Sequence, residues 1–241
     1  MKKIFYVLLA SVVAFAATSC EVDNYEAPNA SIEGSFLDSK DGSLVGTDTT
    51  NGNEIGVYEQ GYSAETKQTW YVDNTGTYAN KRIFAADYRI EFMNTNFYPY
   101  EGSNMITVKK GNNKVDFTVT PFLRVVNPTI TYNEATKTVT AKFKVEQGKT
   151  DSDIQLGEVR LFAFGTKWVG NSFCFGGGSE SKINVNGSVD PTQEFTLTMK
   201  TDNNDFKYSK TYYFRIGVKA NGPGKYGTIR HNYSPLVKIE I

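Results

Sequence analysis

Apolar and polar residues alternate with a period of two along most of the chain, the repeat that turns one face of a β-strand to a core and the other to water. Ile32, Gly34 and Phe36 alternate with polar neighbours, and Ile55 and Val57 resume the pattern after a turn cluster from Asp38 to Gly42. Tyr88, Ile90 and Phe92 are spaced by Arg89 and Glu91, and Val115, Phe117 and Val119 by Asp116 and Thr118. The rhythm returns at Val139, Ala141, Phe143 and Val145, at Val159, Leu161 and Ala163, and at Phe195, Leu197 and Met199. It is densest at Tyr212, Phe214, Ile216, Val218 and Ala220, and closes on Val237, Ile239 and Ile241. No stretch of convincing length carries the 3.6-residue repeat of an amphipathic helix, so the pattern predicts an all-β protein.

Punctuation divides these strands. Asp73-Asn74-Thr75-Gly76 and Lys110-Gly111-Asn112-Asn113 have the side chains of tight turns. Pro121 and the Asn127-Pro128 dipeptide are expected to bracket a crossover, because a proline withholds a ladder donor. The expected domains are residues 30–122 and 123–241. About seven strands in the roughly 115 residues of the second block is the number for an immunoglobulin-like sandwich.

The first twenty residues read differently. Lys2 and Lys3 precede an apolar run from Ile4 to Ala17, followed by Thr18-Ser19-Cys20 and polar Glu21. As a helix this run spans roughly 21 Å, short of the roughly 30 Å hydrocarbon core of a bilayer. Residues 1–19 are therefore expected to be an export signal rather than an anchor. The segment resembles a bacterial lipoprotein signal, which implies lipid attachment at Cys20 and a polar tether over residues 20–29. Two or more acyl chains on Cys20 would hold the protein firmly to a membrane.

Composition narrows the chemistry. Lys+Arg and Asp+Glu both number 26, and loss of residues 1–19 removes two lysines to leave a net charge of −2. No basic surplus exists to attract nucleic acid. One His and two Cys are too few for a His/Cys zinc site of three or four ligands. With Cys20 acylated, Cys174 has no disulfide partner and is expected to be buried and inert; His231 lacks an evident local partner.

Two family resemblances follow from particular residues. Gly34 to Asp38, the Val72-Asp73-Asn74-Thr75-Gly76-Thr77-Tyr78 turn and Phe84-Ala85-Ala86-Asp87-Tyr88-Arg89-Ile90 resemble the carboxypeptidase regulatory-like, or transthyretin (prealbumin)-like, sandwich. Tyr212-Tyr213-Phe214-Arg215-Ile216-Gly217-Val218-Lys219-Ala220-Asn221 resembles the penultimate strand of a fibronectin type III domain. That resemblance makes Tyr212 a corner tyrosine, bonded to backbone across the preceding loop; Phe143 stands where an early-strand Trp would be. The implied fold is two tandem β-sandwiches, prealbumin-like and then fibronectin type III/Ig-like.

Together with the lipoprotein signal and the entry Asp23-Asn24-Tyr25-Glu26-Ala27-Pro28-Asn29-Ala30, these blocks resemble a family of two-domain Bacteroidota outer-membrane lipoproteins associated with Sus-type glycan uptake. The resemblance implies a cell-surface location, with the periplasmic face as the alternative, and a polysaccharide or oligosaccharide and Sus-type importer proteins as partners. From the residues themselves no cofactor and no catalysis are expected, because no nucleophile or carboxylate pair stands in a recognisable catalytic setting. A structural accessory subunit and an adhesin-like interaction module remain the alternatives to direct glycan binding.

Among individual residues, Glu33, Glu91 and Asp116 fall on outward strand positions and are read as solvated. Asp151 with Asp153, and Asp202 with Asn203, Asn204 and Asp205, are read as polar turns rather than calcium ligands. Gly176-Gly177-Gly178 lacks the lysine of a phosphate loop. Asp48-Thr49-Thr50 is read as a plain loop in preference to an O-glycosylation acceptor. Sugar recognition needs aromatic faces for ring C–H groups and polar side chains for hydroxyls. The best cluster is Trp168, Asn171, Phe173 and Phe175, on a glycine-rich connection from Lys167 to Ser181; Tyr226, Arg230 and Tyr233 lie in another loop region. Trp70, Tyr98 and Tyr100 are rival candidates in the first block.

Overall fold

A computed structural model describes residues 26–176 and 178–241. The proposed signal and Cys20 lie outside the described residues. The first domain contains β1 (Ala30–Asp38), β2 (Glu54–Glu59), β3 (Lys67–Tyr71), β4 (Thr77–Ile83), β5 (Ala86–Met93), β6 (Met105–Val108), β7 (Gly111–Lys114) and β8 (Phe117–Val119). One sheet has the order β4-β1-β7, with β8 also pairing β1; the other is β3-β2-β5-β6. The even positions of β1, from Ala30 to Asp38, are buried, as the alternation predicts. Between the sheets, the rings of Phe97, Phe92 and Phe117 lie 5.3 to 5.5 Å from that of Phe36.

Gly34 has a specific steric job. The parallel partner of β1 changes from β7 to β8 at this point, and Val115 comes so close that a β-carbon on Gly34 would collide with its carbonyl oxygen. The Asp116 carboxylate accepts the Ser35 N–H at 2.9 Å, bridging the interruption. Thus Asp116 is exposed but structural, while Glu33 and Glu91 are exposed strand positions.

The second domain contains β9 (Leu123–Asn133), β10 (Thr138–Gln147), β11 (Gln155–Phe164), β12 (Lys182–Gly187), β13 (Glu194–Lys200), β14 (Thr211–Asn221), β15 (His231–Tyr233) and β16 (Val237–Glu240). Its sheets are β13-β10-β9 and β12-β11-β14-β15, with β16 continuing along β14. The protein is therefore two tandem β-sandwiches. Phe143, Leu161, Leu197, Phe214 and Ile216 fill the second core. Tyr212 Oη donates to the Tyr208 carbonyl at 2.9 Å, the four-residue step expected of a corner tyrosine. Tyr88 makes the same step to the Phe84 carbonyl in the first domain, also at 2.9 Å.

Asn127-Pro128 does not lie in a crossover; β9 runs through both residues. The ladder absorbs the proline because β9 is an edge strand, its pairing to β10 slips between Lys142 and Lys144, and Asn127 adopts φ 49°.

Candidate functional site

The register of β11 on β14 sorts the candidate residues. Phe164 pairs with Tyr213 where the Trp168 connection begins, whereas Gln155 pairs with Asn221 where the Tyr226 connection begins. These connections therefore leave the sheet at opposite ends, roughly 30 Å apart at the usual strand rise. Trp168, Asn171 and Phe173 cluster at one end, and Tyr226 does not join them.

Trp168 is 37% exposed and Tyr71 of the first domain is 68% exposed. Both line a shallow cleft of about 630 Å³ that also includes Glu33, Ser35, Thr49, Asp73, Thr77 and Lys114. The lining combines aromatic surface with carboxylates, hydroxyls and an ammonium group. Glu33 is 2.9 Å from Lys81, and Lys114 is 3.4 Å from Asp116; all four side chains reach solvent. Such exposed pairs are held weakly and can exchange partners with a ligand. The Lys167 ammonium sits 4.4 Å from the Trp168 ring centroid.

The sequence singles out Trp70 rather than its neighbour Tyr71. Trp70 is buried and stacked on Tyr78, with centroids 6.1 Å apart, so strict alternation turns Tyr71 outward. Of the other rivals, Tyr98 packs 4.6 Å from Phe122 in the core, and Tyr100 packs edge-on against Phe92 at 5.1 Å.

Packing removes some candidates from direct ligand contact. Phe175 is half-buried among Phe164, Phe206 and Tyr212, so its ring belongs to the core margin. Phe173 remains 40% exposed beside Phe164. Tyr226 rests on Phe122 and Tyr98, and its hydroxyl donates to Asp151 at 2.8 Å. It lines a separate cleft with Tyr100, Asn94 and Asn104. The backbone N–H of Arg230 donates to the Thr95 carbonyl at 3.0 Å, tying this residue to the first domain.

Tyr233 lies in the contact between domains. Its hydroxyl donates to Asp48 Oδ2 at 2.5 Å and accepts from the Asn171 N–H at 3.0 Å. Arg215, 1% exposed, lies over the Tyr233 ring and donates to the carbonyls of Asn74 and Thr47 at 3.0 and 2.8 Å. Burial pushes the Tyr233 phenol well above its ordinary pKa of 10, with the Asp48 charge acting in the same direction. Burial also lowers the Arg215 pKa. Asp48 is consequently part of a buried polar contact, and Ser172 donates to the Thr50 carbonyl at 2.6 Å; the plain-loop reading accounts for this segment.

Two further polar links cross the junction. Asn96 Nδ2 donates to Gly46 O at 2.8 Å and His231 O at 2.9 Å, while its Oδ1 accepts from Asn53. Arg124 forms a bidentate pair with Asp38 at 2.5 and 2.7 Å. A groove of about 610 Å³ beside this pair includes Leu44, Val125 and Leu236. Its charged rim is engaged internally, and it lacks the exposed aromatic pair of the Trp168 cleft.

The remaining chemical candidates have structural partners. Cys174 is half-buried rather than buried; its Sγ accepts from Arg160 at 3.5 Å, and burial pushes its pKa up. His231 does have a carboxylate partner, contrary to expectation: its Nε2 is 3.2 Å from Glu158 Oε1. The pair forms across β14, where Lys219 faces both residues. Asp151 accepts the Asp153 N–H and Asn203 accepts the Asp205 N–H, each at 2.9 Å, which accounts for both acidic turns.

The model for the N-terminal domain of a protein of unknown function, DUF3823, matches residues 30–120, and that for the domain of unknown function DUF3823_C matches residues 123–238. The chain belongs to the DUF3823 family. A crystal structure from Bacteroides uniformis ATCC 8492, described as "a putative carbohydrate binding protein", is 43% identical to this DUF3823 chain. The match covers 89% of this chain and 100% of that one, with a TM-score of 0.81.

Two more distant DUF3823 structures show the same fold. One, from Bacteroides ovatus ATCC 8483, is 23% identical with a TM-score of 0.69, covering 88% of this chain and 98% of that one. The other, from Parabacteroides merdae ATCC 43184, is 20% identical with a TM-score of 0.69, covering 89% and 100%. A comparison with curated proteins found no match.

Proposed function

We propose that this DUF3823 protein is a non-catalytic surface lipoprotein that captures a polysaccharide or oligosaccharide in the Trp168–Tyr71 cleft. The observation that carries the reading is that an exposed aromatic side chain from each domain lines one shallow, polar recess. A sugar ring can place its C–H face on Trp168 or Tyr71 while its hydroxyls reach Glu33, Asp73 or Thr77. The carbohydrate-binding description of the 43% identical relative supports the same ligand class.

The binding step is capture without bond cleavage. Shallow contact and exposed polar partners favour reversible binding, with a polymer's repeated units compensating for modest affinity at one site. In this reading Cys20 carries the lipid, residues 20–29 form the tether, and the two sandwiches hold the cleft at the outer-membrane surface beside a Sus-type importer. Cys20→Ala should move the protein from membrane to soluble fractions; unchanged membrane fractionation would count against the lipid anchor.

Affinity electrophoresis of the two-domain protein against neutral and acidic polysaccharides tests the ligand class. Retardation by one polymer and relief by its free oligosaccharide are expected. Lack of retardation across the panel would favour the accessory-subunit reading.

A further inference from the structure

The carbohydrate cleft is lined by first-domain residues and, from the second domain, by Trp168, so the position of Trp168 relative to Tyr71 depends on what holds the Trp168 connection against the first domain. The covalent chain alone leaves that connection long: it leaves β11 after Phe164 and enters β12 at Lys182. Val169 beside Trp168 is fully buried and anchors the connection next to the partly exposed Trp168.

Two direct contacts and one relayed through Tyr233 of β15 then bind this segment to the first domain. Asn74 Nδ2 donates to the Lys167 carbonyl, the Asn171 N–H donates to Tyr233 Oη, and the Ser172 hydroxyl donates to the Thr50 carbonyl. At Gly170 the approach is too close for a side chain: a β-carbon would collide with Asp48 Oδ1 and Arg215 Nη2. Tyr233 occupies the centre of this arrangement. A phenol has one proton to donate and lone pairs to accept; here the proton goes to Asp48 and a lone pair receives the Asn171 N–H. The Arg215 guanidinium covers the ring at 3.5 Å and reaches Thr47 and Asn74 on the first-domain loops.

We propose that Tyr233 is a positioning residue for carbohydrate capture, its hydroxyl joining Asp48 to the Trp168 connection and holding Trp168 opposite Tyr71. This inference rests on the carbohydrate reading for its ligand but not for its geometry. Tyr233 does not line the Trp168–Tyr71 cleft. Its hydroxyl is the atom shared by the first-domain carboxylate and the second-domain aromatic loop, so ligand affinity and domain docking are coupled through it.

Tyr233→Phe keeps the ring beneath Arg215 and removes the shared oxygen. Acrylamide quenching of tryptophan emission reads the loop without any glycan: Trp70 is buried, and a Trp168→Phe control assigns the accessible component. Increased quenching of Trp168 in a folded Tyr233→Phe protein is expected, with polysaccharide affinity reduced about three- to ten-fold, the range for one lost hydrogen bond. Gly170→Ala approaches the same closure from the loop side and should produce the same two changes. If Tyr233→Phe does not fold, the Gly170→Ala result decides. Quenching and retardation unchanged from the parent in a folded variant would overturn the proposal. If no polymer retards the parent protein, the carbohydrate reading fails, while quenching still decides whether Tyr233 positions Trp168.

Discussion

The Arg215 guanidinium carbon lies 3.5 Å from the centroid of the Tyr233 ring, and Tyr233 in turn donates to Asp48 of the first domain. Arg215 is buried, its Nη groups are bonded to two carbonyls from the other sandwich, and Asp48 Oδ1 is 3.7 Å away. The two sandwiches therefore meet through a charged group rather than through apolar surface alone. The arrangement supplies a firm frame for the cleft on its edge.

Arg215→Lys should destabilise the docked pair, because a lysine lacks the planar fork that reaches Asn74 and Thr47 together and stacks on an aromatic face. A loss of about 2–4 kcal/mol is expected from a buried, hydrogen-bonded charge. Urea unfolding should show a lowered midpoint, with an earlier separate transition if the domains lose their mutual support. An unfolding curve superimposable on the parent's would contradict this role for Arg215.

Asn96→Ala removes two donors and one acceptor from the junction, leaving Gly46 O, His231 O and the Asn53 amide without their partner. A loss of about 1–3 kcal/mol is expected from these unsatisfied buried groups. Thermal unfolding of the two-domain protein measures it; a midpoint unchanged from the parent's would show that the contacts contribute no stability.

Glu158 makes stability depend on acid. Its hydrogen bond to His231, assisted by Lys182, brings its pKa down from 4.5 to about 2. A lowered carboxyl pKa contributes stability that is present above pH 4.5 and is lost as pH falls towards 2. Between those limits Glu158→Gln should flatten the fall in stability by roughly 2–3 kcal/mol. Denaturant midpoints at pH 6, 4 and 3 check the sign; an identical pH slope for parent and variant would contradict it.

Tyr212→Phe deletes the Oη donor to Tyr208 while preserving the ring packed on Phe206. A loss of about 1 kcal/mol is expected for the second sandwich. Tyr88→Phe should cost a similar amount in the first, where the hydroxyl meets Phe84 O. Chemical denaturation of the single variants separates these effects from the junction mutations.

The alternating strands were legible because their two faces see different solvents. Ile32 and Phe36 face one core, and Val139, Ala141, Phe143 and Val145 face the other. Arg215 was not legible as a junction residue: period two places it opposite buried Phe214 and Ile216, and only the tertiary contact shows that its face is covered too. Trp168 was legible as an aromatic in a glycine-rich connection, but its partner Tyr71 lies 97 residues earlier in the sequence and on another domain. The alternation of β3 could have exposed Tyr71; the pairing of the two aromatics required the three-dimensional fold. Tyr233 carried no sequence mark distinguishing a ligand contact from a junction contact.

The central claim is that Trp168 and Tyr71 form one carbohydrate cleft. The most direct measurement is affinity electrophoresis of the parent, Trp168→Ala, Tyr71→Ala and the double variant through a polymer that retards the parent. Each folded single variant should lose about three- to ten-fold in affinity, the scale of an aromatic contact worth about 1 kcal/mol, and the double variant should migrate as in polymer-free gel. Parent-like retardation of the folded double variant would contradict the account.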